Sequence, residues 1–223
     1  GMKFLNKMKV KIKLGLLLFI TSCASIDTNN IAPGYVQAFA SIKQIILGYE
    51  ENIKPEVINN IPYASMLVKI GRGPTALMIL EKINEDEYTW VSADGVYLVI
   101  KNGRIIKTFG LSNNLKEKLT TFKNWNRDSI HTKDFIFYYS FNQPELNNLK
   151  VNSSFYFQEV ETVELIFGPK DLKLIEEYVE SDEIGWFATN KYWIDRDDYV
   201  WKSVQYVSPR LPAFYIEVTK KPR

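Results

Sequence analysis

Three glutamates on one predicted strand are the first candidates for chemistry. Glu159, Glu161 and Glu164 fall within segment 154–167, which is rich in β-branched and aromatic residues. Glycoside hydrolysis uses two carboxyl groups about 5 to 10 Å apart, and Glu159 and Glu161 would share a strand face about 7 Å apart. Exposed strand faces carry such acids routinely. A polysaccharide-modifying enzyme therefore stays an alternative, and we predict no catalytic residue.

The chain has few residues that could bind a metal ion or a cofactor. His131 is its only histidine and Cys23 its only cysteine, which excludes a two-histidine metal site, a multi-cysteine zinc site and an internal disulfide. His131 stands in a polar loop, where a solvated side chain is the simpler interpretation. Segment 195–198 is similar to the start of a calcium loop, but Tyr206 occupies the position that needs a bidentate glutamate. We predict a hairpin turn there, no metal and no cofactor.

Cys23 has surroundings suited to one reaction. Residues 2–13 hold five lysines and no acid, and the apolar run 14–20 follows. This pattern is typical of a secretory signal peptide and is shorter than the ~20 apolar residues of a membrane-spanning helix. Residues 20–23 (ITSC) look like a bacterial lipobox, in which the thiol accepts diacylglycerol and the chain is cut before the cysteine. We expect residues 1–22 to be the signal peptide and Cys23 to be the lipidation site.

The residues around the cysteine also predict a location and a charge. Ala24 follows Cys23, whereas an aspartate there would favour retention in the inner membrane. We therefore expect anchoring in the outer membrane, on its periplasmic face, through the lipid and the polar tether 23–34. Without residues 1–22 the chain has 23 basic and 26 acidic residues, a net charge of −3. That charge argues against a nucleic-acid partner.

Aromatic side chains are the candidates for ligand binding. Tryptophan stacks on the apolar faces of sugar rings and adds a hydrogen-bond donor. The five tryptophans are Trp90, Trp125, Trp186, Trp193 and Trp201. Most of them are expected in the core of a β domain. Trp125 has polar neighbours, so we predict that it is exposed and forms a ligand-binding platform with Arg127.

These side chains depend on a fold that the sequence predicts to be rich in strands. Segment 35–49 has helical apolar spacing, and we expect it to pack on the sheet, with a membrane-surface helix as the less favoured alternative. From residue 61 onward, β-branched and aromatic runs predict strands. Asn102-Gly103 between two such runs predicts a type I′ hairpin, because both turn residues need positive φ.

Antiparallel strands at short spacing set the fold class. Segment 111–125 is polar, and we expect it to be irregular with one helical turn at 115–119. Segment 172–180 fits strand and helix periods, and both stay open with strand preferred. We predict a single all-β, mostly antiparallel domain over 35–223, a curved sheet, half-barrel or sandwich of about ten strands with one N-terminal helix packed on it.

Four segments carry a resemblance to a known family. They are 61–66 (IPYASM), 90–108 (from WVS to NGRIIKT), 191–195 (KYWID) and 203–206 (SVQY). Together with the lipobox they resemble the YjbF/GfcB family of bacterial lipoproteins, which are associated with exopolysaccharide and group 4 capsule production. The resemblance is weakest over 128–185. It implies an outer-membrane lipoprotein of mainly β structure, and it implies no catalytic residue.

The functional expectation follows from the lipobox and the resemblance. We expect a non-enzymatic accessory lipoprotein of capsule or exopolysaccharide assembly or export, which binds glycan or a subunit of the export machinery. A lipid-carrying half-barrel and a polysaccharide-modifying enzyme are the alternatives. An interior cavity wide enough for an acyl chain would favour the first alternative, and acids that converge in a cleft would favour the second.

Overall fold

The computed structural model describes residues 53–119, 122–126, 130 and 134–223. All of them belong to one compact unit that spans 31–223. The predicted signal peptide 1–22, the lipidation site Cys23, the tether 23–34 and the helix 35–49 lie outside the described residues. Within the described ranges, no helix has the length and apolar character needed to cross a membrane.

The described chain contains one short helix and a series of strands. Helix α1 spans Pro55–Asn59 and begins with proline, which loses no intrahelical hydrogen bond at that position. The strands are β1 (Ser65–Ile70), β2 (Thr75–Asn84), β3 (Glu87–Ser92), β4 (Tyr97–Lys101), β5 (Arg104–Phe109), β6 (Asn114–Leu119), β7 (Phe135–Asn142), β8 (Leu146–Leu165), β9 (Gly168–Ser181), β10 (Trp186–Ile194), β11 (Val200–Gln205) and β12 (Phe214–Lys220).

The twelve strands form one antiparallel sheet in the order β5-β4-β3-β2-β1-β12-β11-β10-β9-β8-β7-β6. Two meanders, β1 to β5 and β6 to β12, are joined where β1 pairs with β12, with Val68 opposite Ile216. The edge strands β5 and β6 follow each other in the chain, and Leu115 N donates a 2.9 Å hydrogen bond to Thr108 Oγ1 across the gap. The sheet is therefore a nearly closed barrel. The prediction of an all-β, mostly antiparallel curved sheet is confirmed.

Strand β6 is the strand that the sequence did not predict. The expected irregular chain with a helical turn at 115–119 is wrong, because β6 pairs with β7 and Leu115 lies opposite Phe141. Three charged residues, Lys116, Glu117 and Lys118, interrupt the alternation of apolar and polar side chains that would predict a strand here. Its conformation comes from pairing with a distant strand, which overrides weak local preferences.

Two local predictions are confirmed. Segment 172–180 is strand, as part of β9. Asn102 and Gly103 have φ values of 50° and 74°, as the turn of a type I′ hairpin requires. A Cβ atom on Gly103 would also overlap the side chain of Val200. The turn between β4 and β5 therefore lies directly against β11.

The apolar core fills the interior of the sheet. The fully buried side chains of this cluster include Met66, Leu98, Ile105, Phe137 and Phe214. A smaller cluster of Ile61, Leu77, Ile79 and Val91 lies on the opposite face of β2 and β3. Because successive residues of a strand point to opposite faces, the neighbours Trp90 and Val91 contribute to different clusters.

Candidate functional site

A cavity of about 240 Å³ lies among β1, β3, β4, β11 and β12. The turn between β10 and β11 and the residues after β12 complete its wall. Much of the wall is aromatic, from Tyr88 and Trp90 on β3 and from Tyr199 and Trp201 at the start of β11. We call this space the Trp90 cavity.

Trp90 lines this cavity and is almost fully buried. The residue is 3% exposed, and its Nε1 has no hydrogen-bond partner in the described part of the chain. A buried N–H without a partner costs about 1–3 kcal/mol, and native proteins keep few of them. Nε1 has almost no accessible surface, so Trp90 contributes its ring to the cavity wall.

Asp195 holds the turn that borders the cavity. Its Oδ1 accepts hydrogen bonds from the backbone N–H groups of Asp197 (2.9 Å) and Tyr199 (3.0 Å), and its Oδ2 accepts one from Trp201 Nε1 (2.7 Å). Partial burial would raise the pKa of Asp195, but these three hydrogen bonds lower it below its usual value. The carboxylate is thus occupied by the chain itself. The predicted hairpin turn at 195–198 is confirmed, since β10 and β11 pair directly on either side of it.

Charged residues surround the aromatic wall. Asp197 and Asp198 are exposed at the turn, and Lys202 and Lys221 also line the cavity. Lys221 Nζ lies 4.2 Å from the centre of the Tyr199 ring, which is cation–π distance. A polyhydroxylated ring is bound by aromatic faces, carboxylate acceptors and ammonium donors, and all three kinds of group surround this cavity.

A second polar constellation lies in the interior, centred on an ion pair between Arg104 of β5 and Glu177 of β9. Glu177 also accepts hydrogen bonds from Ser153 Oγ (2.8 Å), Asn190 Nδ2 (3.0 Å) and Tyr192 Oη (2.8 Å). Burial would raise the pKa of Glu177, but the positive charges of Arg104 and Lys118 and the hydrogen bonds from Asn190 and Ser153 lower it to about 2. The carboxylate is therefore ionised at neutral pH and its two oxygens are fully used.

The expected exposure of Trp125 is wrong. Trp125 is 3% exposed, and its Nε1 donates a 2.9 Å hydrogen bond to the carbonyl of Asn102. Its ring lies 4.8 Å from that of Phe122 and 4.7 Å from that of Tyr192, centre to centre. Polar neighbours in the sequence suggested solvent, but the carbonyl of the β4–β5 turn provides an internal partner. Arg127, the other residue of the predicted platform, lies outside the described residues.

The other candidate groups do not come together. Glu159, Glu161 and Glu164 are exposed along β8, and Glu161 accepts a hydrogen bond from Trp193 Nε1. His131 lies outside the described residues. In the described ranges, no three His, Cys, Asp or Glu side chains are close enough together to hold a metal ion.

Comparison with known proteins identifies the family. The family model of the group 4 capsule polysaccharide lipoprotein GfcB, YjbF, matches residues 37–219. The chain belongs to this family. The uncharacterized lipoprotein YjbF of Escherichia coli K12 is 24% identical over 67% of this chain and 72% of its own length. The uncharacterized lipoprotein GfcB of the same strain is 24% identical over 64% of this chain and 69% of its own length.

A solved structure shares the fold of this YjbF/GfcB family member. The crystal structure of the hypothetical lipoprotein YmcC from Escherichia coli K12 has a TM-score of 0.67 to this chain and is 20% identical to it. The match covers 83% of this chain and 96% of that one. The resemblance predicted from the four sequence segments is confirmed, and the barrel-like fold is shared.

The sequence of this YjbF/GfcB chain predicts no separate role for Trp90, Arg104 or Glu177, which the structure buries in the interior. One signal for Glu177 was present, since it stands between Ile175 and Val179 at the spacing of a buried strand face. An acid at that position needs an internal cation.

Proposed function

We propose that this chain is a non-enzymatic accessory lipoprotein of capsule or exopolysaccharide assembly or export, and that it binds one sugar ring of the polysaccharide in the Trp90 cavity. The observation that carries the proposal is the aromatic wall of Tyr88, Trp90, Tyr199 and Trp201, which stands beside charged side chains in one cavity. A pyranose ring offers apolar C–H faces to such rings and hydroxyl groups to such charges. Membership in a capsule polysaccharide lipoprotein family supports this ligand class.

The size and polarity of the cavity favour a sugar over an acyl chain. About 240 Å³ is less than the roughly 300–1,000 Å³ of pockets for drug-sized ligands. Asp197, Asp198, Lys202 and Lys221 also line the space. An acyl chain would remove water from these groups without giving them partners, which is unfavourable.

The proposed location is the periplasmic face of the outer membrane, with lipid on Cys23. The lipobox residues 20–23 and Ala24 support this location, and both Escherichia coli relatives are named lipoproteins. The proposed partners are polysaccharide in transit and the protein subunits that export it. Fractionation of the source bacterium tests the location, since the proposal requires the chain in outer-membrane fractions and the Cys23→Ala variant absent from them.

The binding proposal is tested by calorimetry with oligosaccharides released from the capsule or exopolysaccharide of the source bacterium. Tyr88→Leu removes one aromatic face of the cavity, and we expect it to lower the affinity about tenfold. Tyr178→Leu is the matched control, because Tyr178 is exposed and does not line the cavity. Equal affinity in Tyr88→Leu and the unmodified chain, or no binding by either, would contradict the proposal.

A further inference from the structure

A shallow groove of about 850 Å³ lies on the outer face of the sheet, across β9, β10 and β11. Residues of β10 alternate between the interior and this face, so Phe187 and Trp193 point outward while Asn190 and Tyr192 are buried. The apolar and aromatic side chains that line the groove include Tyr178, Phe187, Trp193, Val204 and Tyr206. We call this surface the outer groove.

Aromatic side chains of the outer groove are in contact with water. Phe187 is 67% exposed and Tyr178 is 48% exposed. The Tyr178 ring lies 5.1 Å from the ring of Tyr156, centre to centre, so the exposed aromatic surface continues onto β8. Contiguous exposed apolar surface marks interaction sites, and tyrosine, tryptophan and phenylalanine are enriched in protein–protein interfaces.

The charge around the outer groove is negative and unbalanced. Glu180 lines the groove, and Asp182 and Glu183 follow it in the turn between β9 and β10. All three side chains are exposed, and none of them forms an ion pair within the described residues. Lys191, which also lines the groove, already pairs with Glu176 at 3.3 Å. Three carboxylates beside the aromatic rings therefore have no counter-charge in the described part of the chain.

We propose that the outer groove docks a protein partner whose contact surface presents arginine or lysine beside apolar side chains. Arginine stacks on aromatic rings and pairs with carboxylates, and this groove offers both groups side by side. A second copy of the chain would bring the same acids together, and anionic lipid headgroups would meet the same repulsion, so both fit the groove less well. The inference assigns a surface to the protein partner proposed above and is independent of sugar binding in the Trp90 cavity.

Site-specific photo-cross-linking of the full chain in the source bacterium tests the proposal. The photoreactive residue benzoylphenylalanine replaces Phe187 in one chain and Phe109 in a control chain, because Phe109 is 51% exposed and does not line the groove. We expect a covalent adduct with one protein from position 187 and not from position 109. Mass spectrometry should find arginine or lysine in the cross-linked peptide of the partner.

Charge reversal tests whether the acids of the groove recognise this partner. Glu180→Lys, added to the chain that carries the photoreactive residue at position 187, should reduce the yield of the adduct about tenfold. Glu117→Lys is the matched control and should leave the yield unchanged, because Glu117 is exposed on β6 and does not line the groove. Glu180 is exposed as well, so its replacement should retain the fold, which circular dichroism verifies.

Three results would overturn the proposal. The first is the absence of an adduct at position 187, and the second is an adduct with a second copy of the chain, with polysaccharide or with lipid. The third is an equal yield with and without Glu180→Lys. Tyr88→Leu should leave the cross-link unchanged, and Glu180→Lys should leave the oligosaccharide affinity unchanged, so the docking proposal and the sugar proposal can fail separately.

Discussion

Arg104 and Glu177 form an ion pair in the barrel interior although 73 positions separate them in the chain. Arg104 belongs to the last strand of the first meander and Glu177 to the second meander. Their side chains are 2% and 0% exposed. Each residue is therefore compatible with burial only in the presence of the other, and the pair couples the two halves of the sheet.

Glu177→Gln is expected to destabilise the fold by about 3–5 kcal/mol, because it leaves the Arg104 guanidinium buried without a counter-charge. Urea denaturation followed by circular dichroism measures this change. Glu180→Gln on the same strand is the control, because Glu180 is exposed, and it should change the free energy of unfolding by less than about 0.5 kcal/mol. The double variant Arg104→Met/Glu177→Leu should recover much of the loss. A fully stable Glu177→Gln protein would contradict the role of the pair.

The stability of the unmodified chain should depend on pH through Lys118. Burial and the positive charge of Arg104 lower the pKa of Lys118 from its ordinary value of 10.5 to about 7 in the folded chain. Between these two pH values the unfolded chain therefore binds more protons than the folded chain. The free energy of unfolding contributed by this group therefore rises as pH increases from about 7 toward 10.5 and is flat below pH 7. Buried Arg104 and Glu177 keep their charges in this range. Tyr139 and Tyr192 have raised pKa values, chiefly through burial and the charge of Glu177.

The difference in the free energy of unfolding between the unmodified chain and Lys118→Met, measured between pH 7 and pH 9, isolates this effect. Lys118→Met should be the more stable protein near pH 7, by about 1–4 kcal/mol, and its advantage should shrink as pH rises. A pH-independent difference would mean that Lys118 keeps one protonation state throughout.

Gly103→Ala should destabilise the fold more than glycine replacement at an open turn. Gly103 has φ 74° and lies against Val200, so an added Cβ meets both backbone strain and overlap. Gly95→Ala is the matched control, since Gly95 has φ 84° and open space around it. We expect a cost of about 1–3 kcal/mol at Gly95 from strain and a larger one at Gly103. Thermal unfolding compares the two variants, and equal losses of stability would show that the contact with Val200 adds no cost.

Trp125→Phe should lower the free energy of unfolding by about 1–3 kcal/mol, because the partly buried carbonyl of Asn102 loses its donor. Oligosaccharide affinity should not change, since Trp125 does not line the Trp90 cavity. A weaker oligosaccharide affinity in this variant would show that Trp125 contributes to ligand binding. Arg127→Ala tests the second residue of the predicted platform in the same calorimetric assay.

The sequence predicts the features that depend on short segments. The Asn102-Gly103 turn requires a backbone conformation that few residue pairs adopt. Segment 172–180 fits strand and helix periods, and its pairing with β8 and β10 decides for strand. Features that depend on a partner elsewhere in the chain cannot be predicted from a short segment. Trp125 is buried because the carbonyl of Asn102 lies beside it, and β6 is a strand because β7 pairs with it. The spacing of Ile175, Glu177 and Val179 signals a buried acid, but its partner Arg104 is identified only when both meanders are placed around one interior.

The pairing of β1 with β12 has a consequence for the order of folding. Ser65–Ile70 and Phe214–Lys220 are the first and last strands of the described chain, and their pairing is the strand ladder that joins the two meanders into one sheet. During synthesis, each meander can form its hairpins alone, but the barrel cannot close before β12 has left the ribosome. Closure is a late contact between distant parts of the chain, and such contacts slow folding. The nascent chain therefore passes through a stage with β1 as an open edge.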